Sequence, residues 1–290
     1  MDRDTKILRL TWALAITSVY LFVEVIGGFL TNSLALLSDA GHMLSDLAAL
    51  GLSLFAFQMA RRPATSKRTY GYHRLEILAA LINGLALWLI VGIIFNTAYN
   101  RFFDPPEVHS LGMLIVASLG LVVNITAGVI LYGSHHDNLN MRGAFLHVLG
   151  DAFGSVAAIA AGIIMLQTGW YLADPLSSVF IGGVILYTSW NLMKESVNIL
   201  MQAVPGEVDV EEVQKAISQV SGVIAVHDLH IWTVTSGVFT LSAHAVVNDR
   251  ADFHEVLNEI EVILADRFNI EHTTIQLETE DREEKEFQDF

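Results

Sequence analysis

The chain has 290 residues, 53% of them hydrophobic and only 16% charged, with no cysteine and a formal net charge of −15. Soluble globular proteins carry about 25% charged residues, so this composition points to a membrane protein. The acidic balance argues against nucleic-acid binding, which needs a basic face. Without cysteine there can be no disulfide and no thiolate metal site, so any metal must be held by His, Asp or Glu.

Residues 10–200 are almost entirely long apolar runs, and residues 205–290 are not. Of the 31 acidic residues, 19 lie in 205–290 with five Lys or Arg, so −14 of the charge belongs there and −1 to the first 204 residues. A bilayer span needs about 20 mostly apolar residues. Six such runs are predicted, over roughly 10–30, 35–59, 76–99, 111–133, 142–167 and 175–195. The first is too long for the apolar core of a cleaved leader and reads as a span.

The breaks between runs are polar or kinked. Thr31-Asn32-Ser33 is a tight turn, Arg61 to Arg74 is a basic loop, and Arg101 to His109 contains Pro105-Pro106. The fourth and fifth runs are separated by Ser134 to Arg142, and Gln167 to Asp174 leads into Pro175. Arg3, Lys6, Arg9, Arg61, Arg62, Lys67, Arg68, Arg74, Arg142 and Lys194 fall on one side, and Arg101 alone on the other. This asymmetry puts both termini in the cytoplasm.

After Pro205-Gly206 the pattern changes. Val210 to Val220 reads as a short amphipathic helix. Val223 to Val234 and Phe239 to Val247 read as strands joined at Ser236-Gly237, Phe253 to Phe268 as a helix and Thr273 to Leu277 as a last strand. The expected fold is therefore an α-helical membrane protein: a six-helix transmembrane domain over 1–204, then a small cytoplasmic α+β domain of order αββαβ over 205–290.

The most informative feature lies inside the spans. His42 and Asp46 are four residues apart in the second run, and His147 and Asp151 repeat the spacing in the fifth. An i, i+4 spacing places both side chains on one helix face. Ionisable groups at membrane depth are costly and usually face a protein interior or a water-filled cavity. Two such faces turned together offer two neutral imidazoles and two carboxylates. That set balances a divalent cation and suits tetrahedral zinc. Because the ligands must be deprotonated to bind, metal and protons compete for the site, as an antiporter requires. The alternative for each pair is a buried hydrogen-bonded couple, and the duplication favours the metal site.

Asp39, one turn before His42, reads as a partner of the ligands or a vestibule charge. Glu24, Asn83 and Asn124 read as interhelical hydrogen-bonding groups. Asp174-Pro175 reads as a cap of the sixth span. Gly27-Gly28 and Gly182-Gly183 suggest close helix packing. In the soluble domain His227, His230, His244, His254 and His272 fall close together, beside Asp228 and Glu278, and favour a second metal site. By strand alternation His227 and Leu229 would face away from Asp228 and His230. The short tract His135-His136 reads as a solvated loop.

Several of these segments resemble the cation diffusion facilitator family of zinc transporters, over nearly the whole chain. They are Ser38-Asp39-Ala40-Gly41-His42 through Asp46, Tyr70-Gly71-Tyr72-His73-Arg74, and His147 through Asp151. In the soluble part they are Val226-His227-Asp228-Leu229-His230-Ile231-Trp232 and His272-Thr273-Thr274-Ile275-Gln276-Leu277-Glu278. The bacterial zinc-efflux branch with a His–Asp/His–Asp site is the nearest in pattern. The resemblance implies a homodimer in the bacterial inner membrane, with a metallochaperone-like cytoplasmic domain and alternating access that exchanges metal for protons. It carries the transport site onto His42, Asp46, His147 and Asp151. It carries a cytoplasmic site onto His227, His244, His254 and Glu278, with His272 as a further candidate. Zn2+ is then both the transported substrate and a structural or regulatory ion in the cytoplasmic domain.

Departures from the family are also legible. Some members have Asp where His42 stands. The loop between the second and third runs is basic and keeps only His73, so no metal site is expected there. Some dimers are locked by an ion pair whose basic member corresponds to Arg74, but the acidic position is Gln202 here.

The reading is a divalent metal transporter, a zinc/proton antiporter working as an exporter, and not an enzyme. Membrane lipid, metal and protons are its expected partners. Export of Cd2+, Co2+ or Mn2+ is the near alternative. An intramembrane zinc metalloprotease is the alternative from another class, but it would carry His-Glu-x-x-His, and His254-Glu255 lacks the second His. A carrier of organic cations would not need matched histidines, and a metal sensor would leave the spans unexplained.

Overall fold

A computed structural model describes residues 3–132, 139–248 and 251–279. Six long helices come first: α1 (Arg3–Thr31), α2 (Leu34–Ala60), α3 (Leu75–Phe103), α4 (Ser110–Tyr132), α5 (Leu139–Thr168) and α6 (Ala173–Leu200). All six are long and apolar enough to cross a membrane. They coincide with the six expected runs and extend most of them by a few residues at their ends.

The chain forms two compact units, one of Met1–Leu52 with Ile82–Met193 and one of Ser53–Leu81 with Lys194–Phe290. In the first unit the usual distribution is inverted. Phe29, Leu30, Val129 and Tyr187 are each at least 70% exposed, whereas Glu24, Asp39, Asn124 and Asp174 are 4% exposed or less. A helix satisfies its own backbone, so apolar side chains can face hydrocarbon while polar ones turn inward. Leu36, Val91, Met113, Ala117, Ala158, Met165 and Ile181 fill the space between helices.

Close packing comes from small residues. A Cβ on Gly27 would lie 2.8 Å from a Val116 methyl, on Gly28 2.8 Å from Leu37, and on Gly182 2.7 Å from Phe95. Gly183 meets nothing within 4 Å, so of the two expected glycine pairs only the first packs through both members. Asn83 accepts from Ser45 Oγ at 3.0 Å, and Asn124 donates to Ser155 Oγ at 3.3 Å. Both bonds run between helices, as expected for polar groups in spans.

The tight turn expected at Thr31-Asn32-Ser33 joins α1 to α2, and its partners correct one expectation. Asn32 adopts a left-handed conformation (φ 54°). The fully buried Asp174 carboxylate does not cap its own helix. It accepts from Ser33 Oγ at 2.7 Å, Leu34 N at 2.8 Å and Ala35 N at 3.1 Å, so it caps the N-terminus of α2. Arg101 of α3 reaches the same carboxylate at 3.3 Å and the Asn32 carbonyl at 2.7 Å. The first N–H groups of any helix lack intrahelical acceptors. Here a neighbouring helix supplies the anion that the macrodipole favours.

The second unit contains the αββαβ domain: α7 (Val210–Ser218), β1 (Val223–Thr235), β2 (Val238–Val247), α8 (Phe253–Phe268) and β3 (His272–Glu278). The sheet order is β1-β2-β3, with β1 antiparallel and β3 parallel to β2. Gly237 (φ 73°) makes the hairpin turn. Asp209 and Asp252 cap the two helices, each accepting at 2.9 Å from the backbone N–H two residues on. Val213, Ile217, Leu241, Ile260, Leu264 and Ile270 form the core between the helices and the sheet.

Candidate metal centre

His42 and Asp46 project from one face of α2, and His147 and Asp151 from one face of α5. The two faces meet. His42 Nε2 lies 3.5 Å from Asp46 Oδ2 and 3.8 Å from Asp151 Oδ1. His147 Nε2 lies 3.2 Å from Asp46 Oδ2 and 3.7 Å from Asp151 Oδ2. Imidazoles and carboxylates therefore alternate around a closed ring, and each histidine addresses both acids. The imidazole rings stand edge to face, with centroids 5.6 Å apart.

These spacings can be set against a zinc ion. With bonds of about 2.0–2.2 Å, tetrahedral ligand atoms are about 3.3–3.6 Å apart. The four observed separations run from 3.2 to 3.8 Å. His42, Asp46 and His147 each offer a ligand atom within 4.8 Å of the others. Asp151 stands outside that group of three: it meets His42 with Oδ1 and His147 with Oδ2, so no single oxygen of it makes both contacts. The buried Asp46 Oδ2 lies between the two imidazole nitrogens, at 3.5 and 3.2 Å, where an ion could sit. The Asp151 side chain is 7% exposed and that of His147 is 47% exposed, so the set is open on the His147 side.

Asp39 does not join the ring. It packs against Gly154 of α5, whose added Cβ would lie 3.3 Å from Asp39 Oδ1. Its carboxyl is within hydrogen-bonding reach of Glu24, and Glu24 Oε1 lies 3.1 Å from Tyr20 Oη. Sequence reasoning passed over Tyr20, although its i, i+4 spacing from Glu24 was a usable signal. Ser45 was passed over too. Its bond to Asn83 holds α2 against α3 one residue from Asp46.

The soluble domain brings a second group together. His227 and His244 are direct partners across the antiparallel ladder, and Glu278 lies on the neighbouring strand. His227 Nε2 is 3.6 Å from Glu278 Oε2, and His244 Nδ1 is 3.3 Å from Glu278 Oε1. The Glu278 side chain is 2% exposed, so a buried carboxylate faces two imidazoles. Gln276 donates to the same carboxylate. Two histidines and an acid are a chemically suitable donor set for zinc, with room for a further ligand.

Strand alternation between His227 and His230 fails. The register slips by one residue there, and Asp228 takes a positive φ of 49°. That bulge re-aims Asp228. Its contact with His230 Nε2, at 2.9 Å, is the pairing alternation gives, but it also comes within 3.8 Å of His244 Nε2, the cross-strand partner of His227, which alternation denied it. His254 is exposed in the first turn of α8 and does not belong to the three-residue group. His272 opens β3 with its ring against Tyr70, centroids 6.2 Å apart, also outside the group. His135 and His136 lie outside the described residues.

Residues 10–201 match the family described as the cation efflux transmembrane domain, and residues 205–280 match the cation efflux protein cytoplasmic domain. This chain belongs to the cation efflux family, the cation diffusion facilitators. One member is named the cadmium, cobalt and zinc/H(+)-K(+) antiporter of Bacillus subtilis. It is 48% identical over 266 residues, which are 90% of this chain and 85% of the relative. The metal cation efflux system protein CzcD of Cupriavidus metallidurans is 47% identical over 279 residues, 96% of this chain and 86% of its own. The zinc transporter ZitB of Escherichia coli is 42% identical over 281 residues, 96% of this chain and 89% of its own. A solved metal-bound C-terminal domain of the CzcD transporter from Cupriavidus metallidurans is 47% identical. It covers 24% of this chain and 99% of its own, with a TM-score of 0.24.

Proposed function

We propose that this cation efflux protein exports Zn2+ across a bacterial inner membrane in exchange for protons. The observation that carries the reading is the closed ring of two imidazoles and two carboxylates bridging α2 and α5 inside two candidate spans. In this reading His42, Asp46, His147 and Asp151 bind the ion together. The two acids neutralise its charge, which lowers the cost of holding it away from water. When the site reopens, protons on the same imidazoles and carboxylates displace the metal, so ion and proton cannot occupy the site together.

The relatives' names support both halves: one is a cadmium, cobalt and zinc antiporter with H+ and K+, and another is a zinc transporter. Cd2+ and Co2+ are the near alternatives as substrate. Mn2+ fits less well, since it favours oxygen-rich sites. The concentration of bases on one side of the spans supports cytoplasmic termini, and with them an acidic soluble domain that gathers metal for export. His227, His244 and Glu278 are proposed to hold a resident zinc ion there, in a homodimer.

The test is metal flux in vesicles with an imposed pH gradient, comparing the parent chain with Asp151→Ala. Zinc movement that follows the gradient and vanishes in the variant supports the reading. Flux indifferent to the gradient, or retained in the variant, overturns it.

A further inference from the structure

The second unit, Ser53–Leu81 with Lys194–Phe290, carries an open cleft of about 1210 Å³. Its wall has three parts, one of them Leu229, His230, Ile231 and Trp232 of β1 with Ser242 of β2, which close it from the αββαβ domain. Phe55 and Met59 at the end of α2, and Leu75 and Leu78 at the start of α3, are apolar and belong to candidate spans. Lys67, Arg68 and Arg74 come from the segment that joins those spans. Cations that immediately follow or precede a span sit at headgroup level. The cleft therefore runs from the apolar ends of α2 and α3, past the basic segment, to the face of the β1–β2 hairpin.

Among the described residues, no carboxylate lies within 4.0 Å of Lys67, Arg68 or Arg74. Glu76, the nearest acid in sequence, is engaged elsewhere: it accepts from Thr235 Oγ1 at 2.7 Å and Ser236 Oγ at 3.2 Å. Gln202, on the same cleft wall, is neutral. Arg74 is half-buried, and a guanidinium withdrawn from water without an anion is costly. The guanidinium of Arg68 is held over the Tyr72 ring, 4.6 Å from its centroid, which orients it without neutralising it.

We infer that this cleft binds an anionic phospholipid, with its phosphate on Arg74 and Arg68, Lys67 near the headgroup, and the upper acyl chains against Phe55, Met59, Leu75 and Leu78. Three features agree on that ligand. The anion-shaped deficit excludes a zwitterionic or neutral lipid as the preferred occupant. The apolar wall excludes a bare phosphate. The volume exceeds the usual few hundred to about 1,000 Å³ of a small-molecule pocket, as a two-chain amphiphile needs. Basic pockets beside spans are a recurring way of holding acidic lipid. The inference does not depend on the identity of the transported ion.

The test uses the full chain, delipidated in neutral detergent. Dioleoyl phosphatidylglycerol, dioleoyl phosphatidylcholine and inorganic phosphate are added separately, with retained lipid counted by native mass spectrometry and stability followed thermally. Phosphatidylglycerol is expected to be retained at one per chain and to raise the melting temperature. Arg74→Gln should weaken that retention at least about tenfold, an amount typical of one charge-assisted phosphate contact. The exposed Arg68→Gln, which leaves folding undisturbed, should weaken it severalfold. Lys215→Gln, on the exposed face of α7, is the control for loss of any surface cation and should leave it unchanged. Equal retention of phosphatidylcholine overturns the proposal, as does an equal shift from inorganic phosphate. Equal weakening by Lys215→Gln also overturns it.

Discussion

The Asp174→Asn substitution isolates the junction at the start of α2. The carboxylate is fully buried and receives four donors, two on each oxygen: Ser33 Oγ and Ala35 N on Oδ1, Leu34 N and Arg101 Nη1 on Oδ2. Asparagine keeps one accepting oxygen and turns an NH2 group toward the other two donors. The best placement keeps the oxygen at Leu34 N and Arg101, because the Ser33 hydroxyl can rotate to accept. Ala35 N is then left facing a donor, and Arg101 loses the charge of its partner. A buried unsatisfied donor costs about 1–3 kcal/mol, and breaking a buried ion pair about 3–5 kcal/mol when a full charge is stranded. Arg101 retains the Asn32 carbonyl and side chain at 2.7 and 2.8 Å, so only part of the second cost applies. A destabilisation of about 3 kcal/mol follows, roughly 5–10 °C in melting temperature for a chain of this size. Thermal unfolding of the purified chain in detergent measures it. Arg101→Gln should cost less, about 1 kcal/mol, because three donors remain on the carboxylate. A melting temperature for Asp174→Asn within a degree of the parent would refute the reasoning. So would an Arg101→Gln variant that is the weaker of the two.

Four further outcomes are expected. Asp46→Asn removes one of two charges balancing the ion and should lower zinc affinity at least about 100-fold by calorimetry, while Ser45→Ala, which only loosens the ligand's helix, should lower it about tenfold or less. Zinc binding should weaken as pH falls from 7.5 to 5.5, because protonated imidazole cannot ligate, and binding should release protons measurable as buffer-dependent heat. In the soluble domain, Glu278→Gln should abolish the stabilisation that zinc gives over chelator, while His272→Ala, whose ring contacts Tyr70, should retain it. Gly28→Val should lower yield or stability by forcing α1 away from Leu37, an overpacking cost of about 1–3 kcal/mol.

Much of this architecture was legible because a membrane span is a long signal with few solutions. Apolar length, loop bases and helix-breaking turns placed the six helices, and the duplicated His-x-Leu-x-Asp spacing singled out the side chains that the structure draws together. Periodicity failed where partners come from elsewhere in the chain. Asp174 precedes Pro175 and looks like a local cap, yet its carboxylate crosses to α2. No local pattern records which helix end will be the neighbour. Alternation denied Asp228 its approach to His244 because a one-residue bulge resets the pattern there, and Asp tolerates the left-handed backbone that makes it. His254, exposed in the first turn of α8, and His272, at the opposite end of β3 from Glu278, lie outside the three-residue group. Proximity along a chain is weak evidence when a helix lies between two strands.

The alternating ring has a mechanical corollary. Every donor belongs to one of only two rigid rods, and none comes from a loop or a backbone carbonyl. Each rod carries one nitrogen and one carboxylate. Sliding or twisting α5 against α2 by an ångström or two thus lengthens both cross-helix separations, His42–Asp151 and His147–Asp46, in a single stroke, while each i, i+4 couple stays whole. If all four side chains hold the ion as proposed, coordination would drop from four to two along one mechanical coordinate, and the grip on a cation would be either complete or half-lost.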